Sequence, residues 1–327
     1  MMSDSIVPLF VYSLPRSGST LIQRMLASHS EISTASETWL LLPQVYALRS
    51  EGVYSEYHHV YSQKALDDFI TILPGKNDDY MRHLRGFIMG LYRDASKDKG
   101  RYFLDKTPRY HLIVNEIIDM FPDAKHVFLW RNPLSVIASM IETWGGGAWN
   151  IYKYKIDLFE GFSNLIEAYE KNADLVYSLQ YENLVTDVKG EMAGLLDYLE
   201  LGLEDEVFNG LSGNYLKGTM GDPTGIDLYS DVSCEGLDKW KSSITSPLRK
   251  RWCAKYIKNI GFDALNTVGY DGEAMLRDIS CLPTGLRNMV SDIAYMSLGG
   301  VYGFIEPHIF LDKLRKIAKK QTIYVNR

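Results

Sequence analysis

Apolar and polar positions along the chain change their period several times. An apolar run from Ile6 to Tyr12 is followed at once by an amphipathic run from Leu21 to His29, which predicts a buried strand turning into a helix. The alternation recurs. Tyr102–Asp105, Lys125–Trp130 and Leu175–Gln180 read as strands, and Ile32–Ala35 as a short one. Thr107 with Pro108, and Asn132 with Pro133, read as the cap and first residue of the helices that follow two of these strands. In the first of those helices Ile113, Ile117 and Met120 form one stripe. Ser36 reads as the cap of a helix with Glu37 in its first turn, running through Trp39 and Leu42 toward Pro43. Further helices are expected near Gln63–Ile72, Asp78–Ala95 and Lys155–Lys171, and from Val188 to Leu199 with Met192, Leu195, Leu196 and Leu199 inward. Strands alternating with helices imply an α/β fold, a mostly parallel sheet flanked by helices. Residues 1–272 are expected to form this unit and residues 273–327 a helical C-terminal extension. The last helix of that extension should begin at Pro307, with Phe310, Leu314 and Ile317 on one face and Lys313, Arg315, Lys316, Lys319 and Lys320 on the remainder.

The composition is that of a globular protein of 327 residues, and a net charge of -6 argues against nucleic acid as a partner, since binding its phosphate backbone needs a basic face. An anionic ligand must therefore be held by local Arg and Lys. Cys234, Cys253 and Cys281 lie far apart without the spacing of a zinc site, and read as free thiols in a reducing compartment. His58 and His59 point opposite ways in any regular element and, with no third ligand, read as surface residues; no metal is expected, because neither a Walker Lys nor a Mg²⁺-binding acid accompanies the Ser13–Leu21 turn. No basic leader with an apolar core opens the chain, and no apolar run approaches the roughly 20 residues of a spanning helix. No transmembrane segment and a cytoplasmic location are expected.

The chemistry begins at Ser13–Leu21, SLPRSGSTL, between the first strand and the first helix. Gly, Ser and Thr at such a turn leave backbone N–H groups free for a phosphate. Laid over the GxxxxGK[ST] pattern, Gly18 and Thr20 fit, but Ser13 replaces the first Gly and Ser19 the Lys. The turn keeps the anion cradle of the P-loop kind and loses the Lys that reaches β- and γ-phosphates. Arg16 supplies a cation earlier in the loop, and its planar fork suits a tetrahedral oxyanion. Lys106 follows another strand, at the sheet edge where open α/β folds bind ligands.

PRSGSTL resembles the 5′-phosphosulfate loop of sulfotransferases that use 3′-phosphoadenosine 5′-phosphosulfate (PAPS), especially the tyrosylprotein and carbohydrate branch. RNPLSVIAS, from Arg131, resembles the 3′-phosphate signature of the same family, and Met120–Ile141 matches that branch over its whole length. The resemblance implies that Ser17, Gly18, Ser19 and Thr20 cradle the 5′-phosphate, that Arg131 and Ser139 bind the 3′-phosphate, and that Tyr181, opening YENLV, touches the nucleotide. It gives Arg16 and Lys106 contacts to the sulfuryl group and the leaving phosphate. In tyrosylprotein members a Glu followed by Thr, 21 residues after the loop Arg, is the catalytic base; Glu37 and Thr38 stand at that spacing. The family's next residue, an Arg that reads acidic peptides, is Trp39 here, and an indole suits a sugar ring or another neutral acceptor. From the segment before a Trp, that branch also sets a Ser and a Lys on the nucleotide; Ser233 and Lys239 precede Trp240. LKGTMGD, from Leu216, resembles the RKGxxGD closing segment, with Leu216 in place of Arg and Lys217 and Gly218 retained. Three glycines between Trp144 and Trp149 read as a lip over the acceptor pocket, with Trp144 on the acceptor.

The resemblance thus implies sulfuryl transfer from PAPS to a hydroxyl acceptor without a metal, leaving adenosine 3′,5′-bisphosphate. A carbohydrate or glycoconjugate acceptor is expected, with a glycolipid or a phenolic small molecule as alternatives. Two other readings stay open here: a small-molecule kinase using ATP at a degenerate P-loop, and a non-catalytic nucleotide-binding module. A bacterial, cytoplasmic member is expected, since Golgi members carry an N-terminal anchor. The basic C-terminal helix reads as docked on the main domain, with a peripheral membrane contact or a homodimer surface as the alternatives.

Overall fold

A computed structural model describes residues 6–96, 100–209, 236–286, 288–305 and 307–321. Strands β1 (Val7–Tyr12), β2 (Ile32–Thr34), β3 (Tyr102–Asp105), β4 (Lys125–Trp130) and β5 (Tyr177–Gln180) form one parallel sheet in the order β2-β3-β1-β4-β5. The chain leaves β1 to build one side of the sheet through β2 and β3, then crosses to the other side for β4 and β5. The carboxyl end of β1 is therefore a topological switch point, where sheets of this kind bind ligands.

Strand residues alternate between two cores, and both faces are covered, which is why the strands read as continuous apolar runs. Phe10, Tyr12, Phe103, Phe128 and Trp130 face helices α5 (Val114–Met120), α6 (Pro133–Gly145) and α7 (Phe162–Asn172) through Ile117, Ile137 and Leu165. Leu9, Val11, Leu104, Val127 and Leu129 face α1 (Ser19–Ala27) and α8 (Val188–Tyr198) through Leu21, Ile22, Met192, Leu195 and Leu196. On the aromatic side, burial pushes the His126 imidazole down to about 4, so it is neutral. Its Nε2–H donates to the Phe121 carbonyl at 3.2 Å, and its Nδ1 lies 3.0 Å from the Tyr12 hydroxyl.

Four local expectations need correction. No helix starts at Ser36: residues 35–40 are irregular, and α2 begins at Leu41 and runs to Tyr46. Trp39 stands in the left-handed region at φ 53, which interrupts any helix begun earlier, and Pro43 sits in the first turn of α2 where its missing N–H costs nothing. After β3, Pro108–Leu112 is a 3₁₀ turn rather than α-helix, and Thr107 spends its hydroxyl on the Trp39 N–H at 3.2 Å instead of capping. The expected helix over Lys155–Lys171 opens with a π turn, Ile156–Gly161, which a 3₁₀ turn, Ile151–Tyr154, precedes. His59 is buried rather than on the surface, with Nε2 2.7 Å from the Arg49 carbonyl oxygen.

Helices α3 (His59–Thr71) and α4 (Lys76–Ser96) cover the β2 side. Among the described residues no helix is long and apolar enough to cross a membrane, and no His, Cys, Asp or Glu cluster could hold a metal ion. Cys253 is a buried free thiol and Cys281 an exposed one, whereas Cys234 lies outside the described residues.

Candidate active site

Every strand of the sheet hands a polar or aromatic side chain to the same rim. Following the sheet order, Glu37 comes after β2, Lys106 after β3, the Ser13–Gly18 turn after β1, Arg131 after β4 and Tyr181 after β5. The rim borders a cleft of about 360 Å³ lined by Pro15, Arg16, Gly18, Ser19, Thr20, Glu37, Trp39, Pro108, Arg109, Arg131, Trp144, Lys153, Tyr154 and Asp157.

The turn after β1 owes its shape to two left-handed residues, Arg16 at φ 69 and Gly18 at φ 91. For Arg16 that conformation is strained, and such strain persists where surroundings over-determine it. Here Nη1 of Arg131 donates to the Arg16 carbonyl at 2.7 Å, and Nε of Arg16 donates to Ser139 Oγ on α6 at 3.2 Å. Gly18 is required on two counts, its backbone and its space, since a Cβ there would come within 2.3 Å of the Tyr181 ring. That ring also lies under the Arg131 guanidinium, 4.4 Å from centroid to Cζ. α1 starts directly afterwards at Ser19; the Leu21 and Ile22 amides bond the Gly18 carbonyl at 2.9 and 3.3 Å, and those of Ser19 and Thr20 have no carbonyl within the helix to bond. Ser17, Ser19 and Thr20 are buried around the turn, and α6 starts as the sequence implies, with Asn132 Oδ1 accepting from the Leu134 N–H at 2.9 Å.

The β2–β3 side is held by buried polar groups. Glu37 Oε1 accepts from Lys106 Nζ at 3.1 Å, and Oε2 accepts from the Trp39 indole N–H at 3.2 Å. Lys106 is only 2% exposed. Beneath them Asp105, fully buried, accepts from the hydroxyls of Tyr92 at 2.6 Å and of Tyr110 and Thr38 at 2.9 Å each. Burial pushes the Asp105 carboxyl above the usual carboxylate range, while those three hydroxyls and the Lys106 charge pull it back. Thr38 Oγ1 and Tyr110 Oη then accept from the N–H groups of Leu40 at 3.2 Å and Leu41 at 3.3 Å, so this network also caps α2.

The far wall centres on Asp157, in the π turn. It is buried, forms an ion pair with Arg109 at 3.0 Å from Nε, and accepts from His111 Nε2 at 2.8 Å. Burial lowers the His111 pKa, although Asp157 opposes the shift, and the ring donates through Nε2 to the carboxylate. Single π turns inside helices often mark functional sites. Trp144 is half open on the cleft, but Trp149 is buried beside the Arg249 guanidinium, 5.1 Å from its ring centroid.

Of the sequence-derived candidates, Arg16, Gly18, Ser19, Thr20, Glu37, Trp39, Arg131 and Trp144 line the cleft; Lys106, Ser17, Ser139 and Tyr181 stand directly behind those residues. Lys239 is exposed on the short helix Lys239–Ser243 and does not line the cleft. Ser233, Lys217 and Gly218 lie outside the described residues. Asp105, Arg109, His111, Lys153, Tyr154 and Asp157 are absent from the sequence-derived set. Asp157 did carry a signal, a lone carboxylate between Ile156 and Leu158.

Residues 8–205 match the sulfotransferase family. Nodulation protein NoeE of Sinorhizobium fredii is 32% identical over 152 residues, covering 44% of this chain and 34% of NoeE. Protein-tyrosine sulfotransferase A of Caenorhabditis elegans is 23% identical over 268 residues, covering 78% of this chain and 67% of that protein. The match thus spans about a third of NoeE's length. Among solved structures, the sulfotransferase domain of the Synechococcus PCC 7002 olefin synthase aligns with a TM-score of 0.53 at 24% identity, covering 76% of this chain and 91% of that domain, which shows the shared fold.

Proposed function

Because the chain belongs to the sulfotransferase family, we propose that it moves the sulfuryl group of PAPS to a hydroxyl oxygen of a carbohydrate or glycoconjugate. The observation that carries this reading is the Glu37–Lys106 contact, 3.1 Å long, standing on the rim beside the turn after β1 with the Trp39 indole against it. A carboxylate and an ammonium so placed offer a base for the acceptor proton and a cation for the charge that develops on the donor.

PAPS is the donor that the family implies, and two features of the β1–β4–β5 side fit such an anion. Arg131 Nε is buried without a hydrogen-bond partner, a cost that an anionic ligand would relieve. Gly18, left-handed at φ 91, turns the backbone so that the amides at the start of α1 face the turn. In this reading Ser17, Gly18, Ser19 and Thr20 hold the 5′-phosphate, Arg131 and Ser139 hold the 3′-phosphate, and Tyr181 packs on the nucleotide. PAPS supplies the sulfuryl group. Glu37 accepts the hydroxyl proton through one carboxylate oxygen, while Arg16 and Lys106 stabilise negative charge beside the turn. Trp39 and Trp144 give the acceptor two indole faces, and Arg109 and Lys153 give it polar donors, a combination suited to a sugar ring. The family match disfavours an ATP-dependent kinase.

Incubation with sulfur-labelled PAPS and cell fractions separated into glycans, lipids, proteins and small metabolites tests the reading. Label is expected in the glycan or glycolipid fraction. Label confined to protein would overturn the carbohydrate acceptor, and donor binding without transfer to any fraction would overturn catalysis.

A further inference from the structure

The helix Pro307–Ala318 carries Phe310, Leu311, Leu314 and Ile317 on one face, and these side chains are 44 to 59% exposed. The preceding helix, Met289–Ile305, leaves Val290, Ile293, Leu298 and Val301 each more than half open. Eight large apolar side chains on two consecutive helices thus meet water. Scattered exposed leucines need no explanation, but a run of this kind marks an interaction surface.

The charges around it select the occupant. Between residues 307 and 320 stand Lys313, Arg315, Lys316, Lys319 and Lys320 against the single carboxylate of Asp312, in a chain whose net charge is -6. Helical spacing places Lys313 and Arg315 on opposite flanks of the apolar face. Lys316 reaches back to Glu56 at 3.4 Å and to Asp312 at 3.3 Å. Among the described residues, Lys313, Arg315, Lys319 and Lys320 form no ion pair with a carboxylate. The Glu56 contact sets the helix beside a segment with three open aromatic residues, Tyr54, Tyr57 and Tyr61, each about two-thirds exposed. Tyrosine, apolar in body and polar at its tip, favours the boundary between hydrocarbon and water.

From these observations we infer that the last two helices dock the protein on an anionic lipid bilayer, with Phe310, Leu314 and Ile317 in the headgroup boundary and the flanking cations on lipid phosphates. Twelve residues are too few to span a membrane and enough to lie along its surface. A second copy is the weaker occupant: a two-fold contact through this helix would set the same row of cations against itself. The docking surface also adjoins the cleft. Tyr302 of the first of these helices packs on Tyr152 with ring centroids 4.9 Å apart, and Tyr152 belongs to the turn that carries Lys153 and Tyr154 into the cleft wall. The inference does not depend on the sulfuryl-transfer reading.

Co-sedimentation of the full chain with vesicles of phosphatidylcholine alone, or of phosphatidylcholine with about one-third phosphatidylglycerol, tests it. Binding to the anionic vesicles is expected and should weaken as salt shortens the screening length. Each cation near such a surface is worth about fivefold in partitioning, so the combined substitutions K313E, R315E, K319E and K320E should lower it at least about 100-fold. Phe310→Ser with Leu314→Ser should reduce it by removing apolar burial instead. Five of the six positions are exposed and Lys313 is only half-buried, so thermal unfolding should hardly move. Failure to bind anionic vesicles, equal binding to both vesicle types, or binding that survives charge reversal would overturn the inference. So would a dimer in sedimentation that these substitutions dissociate while no vesicle binding occurs.

Discussion

Around β1, β4 and β5 the cleft is made by short segments that leave a strand and enter a helix at once. Around β2 and β3 it is made by backbone that avoids regular structure: the irregular residues 35–40, a 3₁₀ turn after β3, and across the cleft a π turn. The first side holds its shape through local rules, a left-handed Gly18, an Asn132 cap and a Pro133 start. The second holds its shape through buried side chains distant in sequence, as when Thr38 meets Asp105 and His111 meets Asp157. The difference separates two tasks. A phosphate can be gripped by backbone amides and one or two guanidinium groups, whereas a proton acceptor must be held at one distance and one angle by its surroundings.

The largest expected effect breaks the second side and spares the first. Glu37→Gln removes the proposed base while keeping an oxygen and a similar shape. Turnover should fall about 100-fold or more, with the affinity for adenosine 3′,5′-bisphosphate unchanged in equilibrium binding. Unchanged turnover would remove Glu37 from the mechanism, and a parallel loss of nucleotide affinity would show that the two sides are not separable.

The converse experiment is Arg131→Ala. It removes the hydrogen bond that holds the Arg16 carbonyl at 2.7 Å and the guanidinium over Tyr181. Hydrogen bonds of charged groups contribute roughly 1.5–3 kcal/mol, so the dissociation constant for PAPS should rise about 10- to 100-fold, read by calorimetric titration. Turnover at saturating donor should change far less. Arg131→Lys should recover little of the affinity, because a point charge cannot replace a planar guanidinium stacked on the Tyr181 ring.

These two sides also differ in how far the sequence disclosed them. SLPRSGSTL and RNPLSVIAS each lie within one strand, turn and helix, so apolar periodicity, Pro placement and capping chemistry locate them without knowledge of distant contacts. The core of the parallel sheet was legible for the same reason, since β1 and β4 are apolar runs with a helix close behind them. Glu37 was legible as a position but not in its setting. Ser36 looked like a cap because nothing nearby in sequence reveals that Asp105 would claim the Thr38 hydroxyl and that Trp39 would turn left-handed. Asp157, Arg109 and His111 went unseen because their meaning lies in one another, and the π turn that delivers Asp157 reads as ordinary helix.

Thr38→Val isolates that long-range component with the smallest change in volume. Valine keeps the branched shape but cannot donate to Asp105 or accept the Leu40 N–H. A buried carboxylate left short of a donor costs about 1–3 kcal/mol, a loss to be read as a lower midpoint in urea unfolding. If the network only stabilises the fold, turnover of the folded fraction should be unaffected. If it also aims Glu37, turnover should fall about tenfold, with PAPS affinity unchanged and with Thr38→Ser restoring both rate and stability. The wild-type rate in folded Thr38→Val protein would mean that the Lys106 and Trp39 contacts suffice to hold Glu37, leaving Asp105 a purely structural group.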